Sequence, residues 1–432
     1  MKADFRLGRH AMWVVLVTLV ASVPARAQGV DDFFNGDVLH RVDLKMNSRD
    51  WNALRTHWED NTYYPADLKW RGLTVRNVGI RSRGLGSRNG QKPGLRVDID
   101  RYRSGQRFLG LKSFVLDNSW QDPSFLKERL TMRLFQRVGQ PAPYEAYAQL
   151  YINNSYAGLY TIVESIDKDF LSRNFGQNDG VLFEFNFLFD WRFGWLGEDL
   201  QPYADLFSPK THETDAPEDL YRPIETMVRE MTEADSRHFD EVAARYLSLE
   251  DVFTFAAIQA ALAQYDGLLG AFGMNNFYMY RFEDSQFNRF LVWDQDVGFS
   301  AVDHPLTFNL DQNEITRHAI ENSYFRDYYF NRLLEVVNSM SEIAPDLPEG
   351  AEPKSWLESE IEKAYQLIRK SVASDPVKPT DMDGFESAVE ELRVFARERP
   401  RFVRCEVAKV QLSSRDAEDV CRAQQESGQS RR

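Results

Sequence analysis

Apolar and polar residues alternate in short stretches between residues 38 and 163, a pattern that predicts half-buried strands. Strands are predicted at residues 38–44, 73–83, 95–99 and 114–116, followed by a hairpin of residues 147–152 and 159–163. The hairpin turn is indicated by two asparagines and a glycine within residues 153–158. Two helices interrupt the strands: one begins at Ser48, and the other follows Asp122 and ends near Val138.

Beyond residue 167 the apolar spacing becomes mostly helical. Helices are predicted at residues 216–238, 248–264, 325–337, 356–371 and 385–397, and a second hairpin at 277–282 and 287–292. Three prolines indicate a linker over residues 341–353, and the polar tail after Arg415 is predicted to be disordered. A strand-rich lobe followed by a helical lobe predicts an α+β protein with its site in the cleft between them.

The first 27 residues have the pattern of a secretory signal peptide. Lys2, Arg6 and Arg9 precede the apolar run 11–23, and Ala-Arg-Ala at 25–27 forms the expected cleavage site. The apolar run is too short to cross a bilayer, and no second run is long enough. We therefore predict a secreted or periplasmic protein with no stable membrane span after cleavage.

Charge and cysteine content narrow the class of protein further. The 432 residues include 66 acidic and 52 basic ones, for a net charge of −14. This acidity argues against a nucleic-acid partner. Cys405 and Cys421 lie near the carboxyl end. Export favours a disulfide between them over two free thiols, and two cysteines at that location do not indicate a metal site.

One segment is strongly basic within this acidic chain. Residues 81–107 hold eight basic residues against Asp98 and Asp100, and glycines recur from Gly84 to Gly94. Glycines allow backbone amides to approach an anion closely, and the basic side chains add positive charge. The segment is therefore either a loop that cradles phosphate or a solvated basic hairpin.

An acidic residue lies on the apolar face of the helix predicted after Asp122. Glu128 falls in the same helical row as Phe125, Met132 and Phe135. A carboxylate on a buried face needs a cation. Lys92 is one candidate partner; otherwise Glu128 lies at the edge of the apolar face, in solvent or paired with an arginine of its own helix.

Carboxylates and amides flank the second hairpin. Asp266 follows a long apolar helix, Asn275 and Asn276 precede the hairpin, and Asp294 and Asp296 follow it. Oxygen ligands at a strand end suit Mg²⁺ or Mn²⁺, with substrate phosphates completing the coordination. Asp266 would then orient or deprotonate an attacking hydroxyl. The alternatives are a structural Ca²⁺ site or aspartates that cap turns.

Taken together, these motifs resemble the CotH kinase family of atypical secreted kinases. The closest stretch is LDNSWQDPSFLKERLTMRLFQRVGQPAPYEAYAQLYINNSYAGLYTIVESID, residues 116–167. The segments NNFYMY at 275–280, WDQDVGF at 293–299 and ENSYFRDYYFNRLLEVV at 321–337 follow in the family's order. The resemblance extends from about residue 78 to residue 337.

The resemblance implies a bilobal, kinase-like fold that binds ATP with Mg²⁺ or Mn²⁺ and phosphorylates protein Ser or Thr. It implies that Asp266 is the catalytic residue and that Asp294, Asp296 and Asn275 or Asn276 hold the metal. In the ATP site it implies a phosphate-contacting Lys92 with Glu128 as its partner, and a hinge at residues 162–165 containing Glu164. The family has Lys-x-Ser where this chain has Lys92-Pro93-Gly94, so Arg83 and Arg96 remain rival phosphate contacts.

The predicted organisation is a signal peptide at 1–27, a CotH kinase-like domain at 28–345, a helical extension at 346–414 and a polar tail at 415–432. The kinase-like domain would divide into an N-lobe at about 38–167 and a C-lobe at about 168–345. The leading hypothesis is a metal-dependent protein kinase. The alternative is a catalytically inactive, kinase-like binding protein of the envelope or surface.

Overall fold

A computed structural model of the chain describes residues 28–345 and 352–429. The predicted signal peptide and part of the predicted linker lie outside these residues. The strands are β1 His40–Met46, β2 Tyr64–Trp70, β3 Leu73–Arg83, β4 Gly94–Asp98, β5 Ser113–Asp117, β6 Glu145–Ile152, β7 Ser155–Glu164, β8 Val181–Phe185, β9 Phe207–Pro209, β10 Phe277–Arg281 and β11 Asn288–Val292. The helices are α1 Val30–Phe33, α2 Ser48–Thr56, α3 Lys127–Arg137, α4 Lys168–Phe175, α5 Gln201–Leu206, α6 Pro217–Glu233, α7 Phe239–Ala243, α8 Leu249–Ala261, α9 Glu314–Ala319, α10 Ser323–Ser341, α11 Trp356–Ser374, α12 Met382–Gln411 and α13 Ser414–Gln429. The predicted α+β class is confirmed.

The first seven strands close into a barrel in the order β1-β2-β3-β4-β5-β7-β6, with β1 parallel to β6 and the other pairs antiparallel. Alternate residues of each strand point inward, so that Val42, Ile80, Val97 and Ile162 share one apolar core. Phe33 of α1 packs in the same core. The remaining residues of each strand face outward and are available to the rest of the chain.

A second sheet, in the order β11-β10-β8-β9, covers part of the outer surface of the barrel. Val115 of β5 and Val163 of β7 point outward and form an apolar cluster with Tyr278, Leu291 and Trp293 of the second sheet and its end. Apolar burial therefore places the end of β11 against the barrel wall. The cluster sets the position of the polar residues that follow Trp293.

The opposite face of the second sheet packs on helices. Phe277 and Met279 of β10 belong to a large core that includes the apolar side chains of α8. A helix that is apolar on all sides is surrounded by protein. Ser248 caps α8 as predicted, with its hydroxyl accepting a hydrogen bond from the Asp251 amide.

The helical extension belongs to the same core. Ile361 and Ile368 of α11, with Leu392 and Val403 of α12, pack with the helices of the preceding part of the chain. The extension also contacts the barrel, where the Tyr156 hydroxyl donates to the Ser371 carbonyl at 3.1 Å. Helix α11 thus contacts both the barrel and the helical core.

The carboxyl end differs from the prediction of a disordered tail. Residues Ser414–Gln429 form α13, and the predicted bridge between Cys405 and Cys421 joins it to α12. The disulfide and the burial of Ala417 hold a polar helix that would be marginal by itself. Within the described residues, none of the helices combines the length and apolar character needed to cross a membrane.

Candidate functional site

A cleft of about 650 Å³ lies between the barrel and the second sheet. One wall is the end of β3 and the glycine-rich loop after it, from Arg83 to Arg88. The other wall is formed by the end of β8, by the loop that contains Asp266, and by the segment after β11 with Asp294 and Asp296. Asp266, Asp294 and Asp296 therefore face the basic, glycine-rich segment across one cleft.

Two asparagines hold Asp266 in place. The Nδ2 of Asn275 donates to Oδ1 and Oδ2 of Asp266 at 3.0 and 3.1 Å. The Nδ2 of Asn276 donates to the Asp266 carbonyl at 3.0 Å and to its Oδ2 at 3.1 Å. Each asparagine uses its amino group on Asp266, so its amide oxygen remains available as an acceptor or ligand.

Three buried glutamines that were not predicted as site residues join the two acidic loops. The Oε1 of Gln295 accepts hydrogen bonds from Gln259 at 2.7 Å and from Gln264 at 3.0 Å. Gln264 in turn accepts a bond from the Asp266 amide at 3.1 Å, and Gln295 donates to the Trp293 carbonyl at 2.7 Å. This network fixes the loop of Asp266 relative to the segment that contains Asp294.

Asp294 lines the cleft and has a left-handed backbone conformation, with φ of 52°. Aspartate and asparagine adopt this conformation more readily than most residues. Burial raises the pKa of Asp294 to about 6, although Arg83 opposes the shift. Burial, followed by the charge of Asp294, also raises the pKa of Asp296 well above its ordinary value. The segment therefore concentrates negative charge that lacks full compensation.

Arg83 is the cation that faces these carboxylates. It extends from the outer face of β3, with its guanidinium 5.4 Å from the centre of the Trp293 ring and 3.9 Å from Asp117. Burial alone would lower the pKa of Arg83, but Asp294, Asp117 and Glu184 outweigh that effect and raise it. Arg83 therefore has the position expected of a group that contacts phosphate.

The predicted pairing of Lys92 with Glu128 is not what the structure shows. The Nζ of Lys92 lies 2.9 Å from Oδ2 of Asp375, and both side chains are fully buried. The described residues that line the cleft do not include Lys92. This partner was not predictable from local sequence, because Asp375 lies 283 positions further along the chain. A phosphate contact by Lys92 is not supported by its location.

Glu128 lies near carboxylates instead. Burial first, and then the negative charges of Glu145, Asp117 and Asp294, raise the pKa of Glu128 well above its ordinary value. Glu145 was not predicted as a site residue, because it precedes the predicted strand of residues 147–152 and has no signal of its own; in the structure it begins β6. Glu128 thus borders the acidic side of the site rather than a lysine.

The other two predicted residues lie beside the cleft. Arg96 faces outward from β4 and donates to Ser113 at 3.2 Å, and it is absent from the described residues that line the cleft. Glu164 ends β7, where it forms an ion pair with Arg173 and accepts a bond from the Tyr144 amide at 3.0 Å. Burial raises the pKa of Glu164 to about 7, against the effect of Arg173.

The chemistry of the donor set fits a Mg²⁺ or Mn²⁺ ion that is shared with a substrate. Asp294, Asp296 and the amide oxygens of Asn275 and Asn276 are hard oxygen donors along one cleft. Among the described residues, no three His, Cys, Asp or Glu side chains converge closely enough to hold a metal by themselves. Phosphate oxygens would complete the coordination, as is usual for Mg²⁺.

Comparison with known proteins gives two matches. A family model described as CotH kinase protein matches residues 80–403, from β3 into α12. The chain is also similar to a protein named Inner spore coat protein H from Bacillus subtilis (strain 168). The two are 20% identical over 374 residues, which cover 84% of this chain and 95% of that relative.

Proposed function

Because the chain belongs to the CotH kinase protein family, we propose that it transfers phosphate from ATP to Ser or Thr residues of a protein, with Mg²⁺ or Mn²⁺. The barrel and the helical part would act as the two lobes of a kinase-like fold. One observation carries the proposal: Asp266, its two asparagines and Asp294 face Arg83 and a glycine-rich loop across a single cleft.

Each of these groups has a task in phosphoryl transfer. Oδ atoms of Asp266 accept the hydrogen bond of the acceptor hydroxyl and take its proton as the hydroxyl oxygen bonds to the γ-phosphorus of ATP and the bond from that phosphorus to ADP breaks, releasing ADP. Asn275 and Asn276 keep this carboxylate in one orientation. The Arg83 guanidinium and the loop amides neutralise and position the phosphate oxygens. A divalent cation held by Asp294 and its neighbours would supply further positive charge at those oxygens.

Asp266→Asn tests the proposal. Asparagine retains the size of the side chain but cannot take a proton, so we expect ATP affinity and fold to persist. Phosphate transfer should fall by at least ~100-fold, the low end for a lost general base. Transfer from radiolabelled ATP in Mn²⁺ or Mg²⁺ would be measured for the wild type, for this variant and for Asp303→Asn, an exposed aspartate outside the cleft lining. Equal labelling of the wild type and Asp266→Asn would remove Asp266 from the mechanism.

A catalytically inactive binding protein of the envelope or surface is the second candidate. The specific observation in its favour is that Lys92, which the resemblance assigns to a phosphate contact, is already paired with Asp375. The relative's name, a coat protein, agrees with a surface location and with the secretion predicted from residues 1–27. This candidate predicts no phosphate transfer by the wild type in either metal.

A further inference from the structure

A fully buried ion pair connects the glycine-rich segment to the carboxyl-terminal helices. Lys92 Nζ lies 2.9 Å from Oδ2 of Asp375, and neither side chain is exposed. The ammonium group also lies 4.9 Å from the centre of the Phe125 ring and 5.3 Å from that of Tyr160. Asp375 belongs to the connection between α11 and α12, so the pair joins segments far apart in the chain.

The carboxylate of Asp375 is held firmly on the barrel. Its Oδ2 accepts a bond from the Leu159 amide at 2.8 Å, and its Oδ1 accepts one from Val377 at 2.9 Å. Gly158 makes this approach possible, because a Cβ there would lie 2.8 Å from the carboxylate and its φ is +135°. Asp375 is therefore a fixed point to which Lys92 is attached.

Lys92 in turn fixes the end of the loop that lines the cleft. The Nδ2 of Asn118 donates to the Lys92 carbonyl at 2.7 Å and to the Ser87 carbonyl at 3.0 Å. Oδ1 of Asn89 accepts from the Lys92 amide at 2.8 Å. Ser87 lines the cleft itself. Two side-chain bridges thus connect the backbone of Lys92 to the part of the loop that faces the site.

Net stabilisation is a weak explanation for such a pair. Burial of two charges costs about as much as their attraction returns, and well-packed apolar replacements are often as stable. A buried pair does impose one separation and one direction on the two segments it joins, and this geometry is what the loop requires.

We infer that Asp375 is a positioning residue for nucleotide binding: through Lys92 it holds the glycine-rich loop of residues 84–92 in place. Helices α11 and α12 then contribute to nucleotide binding, because the connection between them contains Asp375. This inference rests on the proposed function for its ligand, but the coupling between Asp375 and the loop can be measured without activity.

The test uses Asp375→Asn and the double variant Lys92→Met/Asp375→Asn. The single variant leaves a buried lysine without its counter-charge, so we expect a large loss of stability. The double variant removes both charges and retains an acceptor for the Leu159 amide, so its melting temperature should return close to that of the wild type. Hydrogen exchange of the amides at 84–92 and the Kd for Mn–ATP are then compared between the double variant and the wild type.

We expect faster exchange in the loop and Mn–ATP binding weaker by at least about tenfold, because the loop must be ordered on binding. Tyr156→Phe is the matched control: it removes a bond between β7 and α11 without a contact to the loop, and both readouts should match the wild type. Unchanged exchange and affinity in the double variant would overturn the inference, as would an equal effect of Tyr156→Phe.

Two further outcomes are decided by the same measurements. If the double variant does not fold, Asp375→Glu preserves the charge and lengthens the side chain, and unaltered loop exchange and affinity in it refute the inference. If the wild type binds no Mn–ATP, the proposed function fails, while the exchange rates still show whether Asp375 holds the loop.

Discussion

Asp294→Asn should make the metal-free protein more stable although it removes a residue of the site. Asp294 is half-buried near other carboxylates, and its pKa rises from 3.8 to about 6, chiefly because of desolvation. At 1.36 kcal/mol for each pKa unit, ionisation of this side chain opposes folding by up to about 3 kcal/mol. Asparagine has the shape of the protonated carboxyl and suits the left-handed backbone at this position.

The stability gained by Asp294→Asn should increase as the pH rises. A folded-state pKa above the unfolded value means that the native state holds the proton more tightly. Its contribution to stability is present below about pH 4 and is lost as pH rises to about 6. The variant has no such group, so it should gain little over the wild type at pH 4 and most at pH 7 and above.

Urea denaturation in the presence of a chelator at several pH values measures this difference. Asp284→Asn is the matched control, since Asp284 has φ of 50° but lies in an exposed turn. It separates the backbone preference of asparagine from the loss of charge. With Mn²⁺ and ATP the order should reverse, because only the wild type gains from ligand binding. A variant that is no more stable than the wild type at pH 7, after correction by the control, would refute the reasoning.

Two other substitutions test the cleft. Arg83→Gln should weaken Mn–ATP binding by about tenfold or more, because it removes a charge-assisted phosphate contact. Arg96→Gln is the control and should leave binding unchanged, because Arg96 is absent from the described residues that line the cleft. Calorimetric titration of both variants with Mn–ATP measures the difference. Gln295→Met should lower the free energy of unfolding by about 2–4 kcal/mol, because the amides of Gln259 and Gln264 lose their acceptor. Urea denaturation measures that loss, and a neutral effect would show that the glutamine network does not hold the loops.

The local parts of the fold were predictable from the sequence. The strand over residues 73–83 is indicated by alternation, and the hairpin after Asn276 by its turn residues, both of which are short-range signals. Both elements appear near the predicted bounds. Strand β2 and the strand β8 were missed. In β2 the alternation is present, with Ala66, Leu68 and Trp70 inward and Asp67 and Lys69 outward, so this strand was overlooked rather than hidden. Strand β8 is a short apolar run that periodicity alone does not distinguish from part of a helix.

The site was predictable where one short segment supplied its residues. Asp266, Asn275 and Asn276 are close in sequence, and the structure brings them into contact. The partner of Lys92 was not predictable, since a charge alone does not specify which distant carboxylate it will meet. The buried glutamines were missed for a similar reason: an amide in a helix or a loop has no sequence signature until its acceptor is known.

The charges around the cleft indicate why Arg83, rather than Lys92, would contact the phosphate. Lys210 lines the cleft but pairs with Glu184, and the two other described arginines of the cleft lining, Arg81 and Arg88, both donate to Asn61 and to backbone carbonyls. Arg83 remains opposite Asp294 and Asp117, where several carboxylates are buried together. A lysine there would be exposed to the same desolvation that lowers the pKa of Lys92, whereas a guanidinium remains charged throughout the physiological range. Under the proposed function, Lys92 would fix the position of the loop and Arg83 would neutralise the charge of the phosphate.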